Sequence, residues 1–160
     1  MSYSRFPSLF EFSSDSFPSP ASSVSSSSDI SLGKHLICDL HDIQNETLLH
    51  SLDGIREILD YLCDTYSFTV LGKLEHQFTP QGCSLVYLLS ESHLSVHTFP
   101  EKKYIAMDVY TCRDYADNSV YESIYTYLVE QFRADSRYSP VILDRGEPRV
   151  SAERRLSLNG

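Results

Sequence analysis

Leu88-Leu89-Ser90-Glu91-Ser92-His93-Leu94-Ser95-Val96-His97-Thr98-Phe99-Pro100-Glu101 decides how the rest of the chain is read. Upstream of its centre, the apolar run from Leu85 to Leu89 reads as a buried strand. Downstream, Leu94, Val96 and Thr98 fall on one side and Ser95, His97 and Phe99 on the other, the alternation of a half-buried strand. Between them Ser90-Glu91-Ser92-His93 is a polar junction without the Gly, Asn or Pro that tight hairpin turns favour. Polar side chains wedged between two strands that want burial are a local conflict, and such conflicts mark functional sites.

Outward from this pair, the elements follow in order. Gly33 to Leu40 reads as a first strand. Asn45 is placed to cap a helix running to about Tyr66, in which Leu48, Leu52, Ile55, Leu59 and Leu62 form one apolar stripe. Phe68 to Phe78 is a second strand interrupted at Gly72, and Thr79-Pro80-Gln81-Gly82 is a turn. After the two central strands, Tyr104 to Cys112 alternates Ile105, Met107, Val109 against Ala106, Asp108, Tyr110. A helix from about Asn118 to Phe132 presents Val120, Ile124, Leu128 and Phe132, and Pro140 to Gly146 is a last strand. The order β-α-β-β-β-β-α-β predicts an α+β two-layer sandwich, a mostly antiparallel sheet with both helices on one face. The other sheet face would need cover, and with Tyr and Phe abundant in the strands a homodimer packed sheet to sheet is expected.

The flanks differ in composition. Residues 1–31 are Ser-rich, with Pro7, Pro18 and Pro20, and read as a disordered extension, although Phe6, Leu9, Phe10, Phe12 and Phe17 are unusual for a linker. Residues 147–160, with Arg149, Arg154 and Arg155, read as a flexible tail. One domain is left, residues 32–146. A net charge of −9 argues against nucleic-acid or anionic-membrane partners, because nothing would neutralise phosphates. No apolar run approaches membrane-spanning length, and the N-terminus lacks a continuous apolar segment for secretion. Cys38, Cys63, Cys83 and Cys112 form no CxxC pair, and free thiols in a reducing cytoplasm fit at least three of them. His93 and His97 stand four apart in a strand context, where opposite faces and no metal site are expected.

A serine following a carbonyl can attack it, exchanging the amide for an ester through a five-membered ring. A fold favours this by straining the peptide and stabilising the oxyanion, with an imidazole to move the proton. β-Elimination then releases Glu91 as a new C-terminus and leaves Ser92 as dehydroalanine, which hydrolyses to a pyruvoyl group. On spacing alone, Ser92 reads as a solvent-facing turn residue, His97 as a satisfied strand histidine and Cys112 as a buried apolar cysteine.

The run Ser90 to Glu101 resembles the processing-site motif of prokaryotic-type S-adenosylmethionine decarboxylase proenzymes. The ESHxxxHTxPE pattern is specific, with Cys112 twenty residues after Ser92. Gly33-Lys34-His35-Leu36 and Ala106 to Cys112 resemble further family strands, so the similarity spans about residues 32–146. The resemblance implies a self-cleaving, pyruvoyl-dependent carboxy-lyase that makes decarboxylated S-adenosylmethionine, the aminopropyl donor for spermidine, through a Schiff base. It implies two chains, 1–91 and 92–160, with Ser92 as pyruvoyl precursor and Glu91 as the end of the small chain. His97 and Ser84 would assist processing, and Cys112 would donate the proton. Phe78 would stack on adenine, Phe99 would shape the pocket where the family commonly has tryptophan, and Glu101 would bind the ribose hydroxyls. Leu85 and the Ser-rich extension also depart from the family pattern. Two alternatives stand beside this: a pyruvoyl enzyme acting on ornithine or arginine, and a non-catalytic regulatory subunit.

Overall fold

The computed structural model describes residues 32–146, so the expectations for the two flanks lie outside the described residues. Six strands form one sheet: β1 (Lys34–Leu40), β2 (Val70–Gln77), β3 (Cys83–Leu89), β4 (Ser92–Phe99), β5 (Tyr104–Thr111) and β6 (Val141–Asp144). Their order is β2-β3-β4-β5-β1-β6, and every neighbouring pair is antiparallel. The helices are α1 (Glu46–Leu49), α2 (Leu52–Thr65) and α3 (Ser119–Phe132). This is the expected α+β architecture.

One sheet face is sealed. Leu36, Cys38, Leu40, Leu85, Tyr87, Leu94, Val96, Ile105, Met107 and Val109 point from it into a core closed by Ile55, Leu59 and Leu62 of α2 and by Ile124, Leu128 and Phe132 of α3. Each fully buried leucine there contributes about 2 kcal/mol of transfer free energy. The opposite face carries His35, Ser84, Val86, Leu88, His93, Ser95, His97, Asp108 and Tyr110, all only partly buried or exposed. His93 and His97 thus share a face instead of opposing each other. A period of two returns every fourth residue of a strand to the same side.

Two local expectations change. The first helix is broken between Leu49 and Leu52, because Ser51 is extended and its Oγ accepts the Gly54 N–H at 2.9 Å, starting α2 afresh. Asn45 makes no side-chain cap; its amide donates to the Gln131 carbonyl at 2.9 Å. In α3 the fully buried residue near the start is Tyr121, while Val120 is only partly buried. The Tyr121 hydroxyl lies 2.8 Å from Thr111 Oγ1 and donates to the Lys34 carbonyl at 3.2 Å, fixing the end of β5 against β1. Gly33 completes that junction. It has φ +95°, and a Cβ there would lie 1.9 Å from the Thr111 carbonyl oxygen and 2.5 Å from Cys112 Cα.

Candidate active site

The polar junction is a two-residue hairpin tip, Ser90–Glu91, joining β3 to β4. Tight hairpins usually place the positive φ on their central residues. Here it falls instead on Ser92, at φ 140°, a conformation comfortable only for glycine. Strain of order 1–3 kcal/mol is therefore held at the residue that follows the Glu91 carbonyl.

That carbonyl is polarised. Its oxygen accepts the backbone N–H of Cys112 at 2.8 Å, at the end of β5 where Thr111 pairs with Ser92. Such a donor stabilises negative charge developing on the oxygen when the carbon is attacked. Ser92 Oγ lies 3.4 Å from Nδ1 of His93. Burial, with the neighbouring His35 and Arg145, lowers the pKa of His93 and favours its neutral, proton-accepting form. Cys112 is exposed, whereas Cys38, Cys63 and Cys83 are buried. Burial pushes the Cys38 thiol up to about 12 and the Cys63 thiol to about 11. Cys112 is the solvent-accessible thiol among the four.

The Glu91 side chain is tied as firmly as its carbonyl. Its carboxylate accepts Arg113 Nη2 at 2.8 Å, the Thr69 N–H at 3.0 Å and the Thr69 hydroxyl at 3.3 Å. Burial works to raise this carboxyl, but the Arg113 and Thr69 hydrogen bonds outweigh it and hold it down at about 2. The Ser90 N–H donates to the Thr69 carbonyl at 2.9 Å, docking the tip on the loop after α2.

The remaining expected residues gather at the other end of the sheet. Ser84 Oγ lies 2.6 Å from His97 Nδ1, in a directly paired register position on the open face. Phe99 packs on Tyr104 with ring centroids 5.4 Å apart, and the Lys102 ammonium sits 5.7 Å from the Phe99 ring. Glu101 lies in a single 3-10 turn, Pro100–Lys102, where Gln81 donates to it at 3.4 Å. Phe78 is half exposed, its N–H bonded to the Gly82 carbonyl at 2.8 Å. From the Ser84–His97 pair to the Leu89–Ser92 pair is five register positions, about 17 Å of antiparallel strand. One chain thus forms two clusters: Glu91, Ser92 and Cys112 at one end, and Phe78, Ser84, His97, Phe99 and Glu101 at the other.

Sequence reasoning missed Thr69 and Arg113. Neither has a spacing signal, because their partner Glu91 is 22 residues distant from each. No group of three or more His, Cys, Asp or Glu side chains among the described residues is arranged to hold a metal ion. No helix of the described residues is long and apolar enough to cross a membrane.

Comparison with known proteins gives a consistent picture. The sequence model of the S-adenosylmethionine decarboxylase family matches residues 34–146. The S-adenosylmethionine decarboxylase proenzyme of Archaeoglobus fulgidus is 33% identical over 115 residues, covering 72% of this chain and 98% of that one. The corresponding proenzyme of Fervidobacterium nodosum is 30% identical over 135 residues, covering 79% and 96%. The crystal structure of the adenosylmethionine decarboxylase from Aquifex aeolicus superposes with a TM-score of 0.64 at 30% identity, covering 76% of this chain and 97% of that one.

Proposed function

The chain belongs to the S-adenosylmethionine decarboxylase family, and we propose that it decarboxylates S-adenosylmethionine with a pyruvoyl group made from its own Ser92. The observation that carries this reading is the Glu91–Ser92 peptide: a strained serine at φ 140° behind a carbonyl that accepts the Cys112 N–H at 2.8 Å. The residues present fit the group, since its atoms come from a serine at a strained, polarised amide and from water, with no separate small molecule to bind.

Cutting proceeds through an ester. Ser92 Oγ gives up its proton and bonds to the Glu91 carbonyl carbon, while the oxygen's negative charge is held by the Cys112 N–H. The C–N bond breaks and the Ser92 nitrogen takes a proton, leaving an ester. Loss of the Ser92 α-proton breaks the Cβ–O bond, and Glu91 departs as a carboxylate. Water then replaces the nitrogen of the resulting enamine, ammonia leaves, and residue 92 carries the ketoacyl group. When present, that group supplies an electrophilic carbonyl and an electron sink for the carbon that loses CO₂. Cys112 returns a proton to that carbon, a role that the exposure of its thiol at the end of β5 supports. Phe78 and Phe99 offer aromatic faces to a purine and a sulfonium cation, and Glu101 offers acceptors to ribose hydroxyls.

About 17 Å of strand separates His97 from Ser92, so within one chain this imidazole cannot take the serine proton. A homodimer stacked through the open sheet faces about a twofold axis with its strands opposed would set the Ser84–His97 end of one copy over the Ser92–Cys112 end of the other. The exposed Val86 and Leu88 on that face suit burial against a second copy. The product, an aminopropyl donor, places the enzyme in spermidine synthesis.

Intact mass tests the reading directly: the chain should run as two pieces, 1–91 and 92–160. Incubation with S-adenosylmethionine and a hydride reductant should add substrate mass to the second piece alone. A full-length chain that traps no amine would overturn the proposal. Release of CO₂ from ornithine or arginine, and none from S-adenosylmethionine, would reassign the substrate.

A further inference from the structure

We propose that Arg113 is a positioning residue for self-cleavage, holding Glu91 so that its carbonyl stays on the Cys112 N–H and in reach of Ser92. This rests on the Glu91–Ser92 bond being the one that is cut.

Three observations combine. The Arg113 guanidinium is itself immobilised, donating to the Tyr66 carbonyl at 2.9 Å and the Ser67 carbonyl at 2.5 Å, with its centre 5.4 Å from the Phe68 ring. From that anchored position it reaches the Glu91 carboxylate at 2.8 Å. Its immediate neighbour, Cys112, donates to the carbonyl of the same glutamate. Two consecutive residues therefore grip both ends of the residue whose carbonyl is attacked. With the carboxylate fixed by Arg113 and Thr69, rotation of the Glu91 peptide away from Cys112 would break several hydrogen bonds at once. A planar guanidinium donates to several acceptors together in a way that an ammonium does not.

The grip matters most before the bond breaks. The amide must stay strained and polarised while the serine attacks, and misplacement of a reacting group by about 1 Å can cost on the order of 10²-fold in rate. A side chain serving only to stabilise the turn would contribute to the melting temperature and leave the cutting rate unchanged.

The test measures cutting over time. Chains are made in cell-free translation, synthesis is stopped, and the appearance of the 92–160 piece is monitored by intact mass. Arg113→Ala should cut about 10²-fold more slowly than the wild type. Arg113→Lys should fall between them. Glu91→Gln should also slow cutting, and the double variant should be no slower than the slower single one, because the two side chains act as one contact. Hydroxylamine, which severs an ester, should not restore cutting in Arg113→Ala, since ester formation is the slowed step. Melting temperatures of the same variants in an uncut Ser92→Ala background report folding separately. Arg113→Ala cutting at the wild-type rate, losses that multiply in the double variant, or rates that track melting temperature alone would each overturn the proposal. A wild-type chain that never cuts would instead remove the reading on which it rests.

Discussion

Ser84 Oγ and His97 Nδ1 lie 2.6 Å apart across the β3–β4 ladder, yet Ser92 is five register positions further along the same hairpin. The pair is preorganised for proton transfer and out of reach of the serine it is expected to serve within its own chain. Within that chain the imidazole in contact with Ser92 is His93, at 3.4 Å. The two arrangements make opposite predictions.

Co-expression separates them. His97→Ala expressed alone should remain uncut. Expressed with Ser92→Ala, which retains His97 and cannot itself be cut, the His97→Ala chain should be cut at Glu91–Ser92 in mixed dimers. Intact mass with differently tagged chains reads the result. Efficient cutting of His97→Ala alone would assign the proton transfer to His93.

Position 112 should divide into two functions. Cys112→Ala keeps the backbone N–H on the Glu91 carbonyl, so cutting should proceed. Loss of the thiol should lower CO₂ release by about 10²-fold or more, the scale of a lost general acid. Full turnover in this variant would show that the thiol donates no proton.

Ser92 should reveal its strain by substitution. Ser92→Ala and Ser92→Gly should both stay uncut. Glycine adopts φ 140° without strain, partly offset by its greater freedom in the unfolded chain, so Ser92→Gly should be more stable than Ser92→Ala by about 1 kcal/mol. Urea unfolding of the two uncut chains measures the difference.

Gly33→Ala should be damaging at a distance from the cut bond. At φ +95°, with its added methyl 1.9 Å from the Thr111 oxygen, the junction of β1 and β5 must shift. The expected cost is about 2 kcal/mol or more, together with slower cutting as Cys112 moves. Unchanged cutting would show that the Cys112 N–H tolerates displacement.

Acid should weaken the hairpin tip. The folded pKa of Glu91 is about 2, below the ordinary value of 4.5. Its contribution is therefore present in full above about 4.5 and is lost as pH falls towards 2. In a Ser92→Ala background, the stability advantage of Glu91 over Glu91→Gln should shrink across that window and be flat from pH 5 to pH 7.

Much of this was readable from residue order. The alternation in β4 and β5 gave the buried face directly, and Ser84 stands as far before Ser90 as His97 stands after Glu91, so their pairing results from a two-residue tip. The distance of that pair from Ser92 was equally readable, but a motif groups residues by spacing along the chain and hides how far a strand carries them apart. The break at Ser51 was obscured because apolar spacing runs straight through it, while the cap is a competition between one hydroxyl and the helix backbone. The burial of Tyr121 depends on hydroxyl partners from β1 and β5, which no local pattern encodes. Nothing along the chain links Arg113 to Glu91, because their contact exists only once the loop after α2 is packed beside both.

Were the Glu91–Ser92 bond cut as proposed, strand order would govern the fate of the two pieces. Severing the tip assigns β1, β2 and β3 to one piece and β4, β5 and β6 to the other. In the sheet, however, β1 lies between β5 and β6, and β3 lies against β4. The two halves are interleaved like laced fingers, so neither can leave without unzipping the ladder on both sides of β1. Scission should therefore release no polypeptide, and the halves made separately would each lack a strand that the other's hydrogen bonds require.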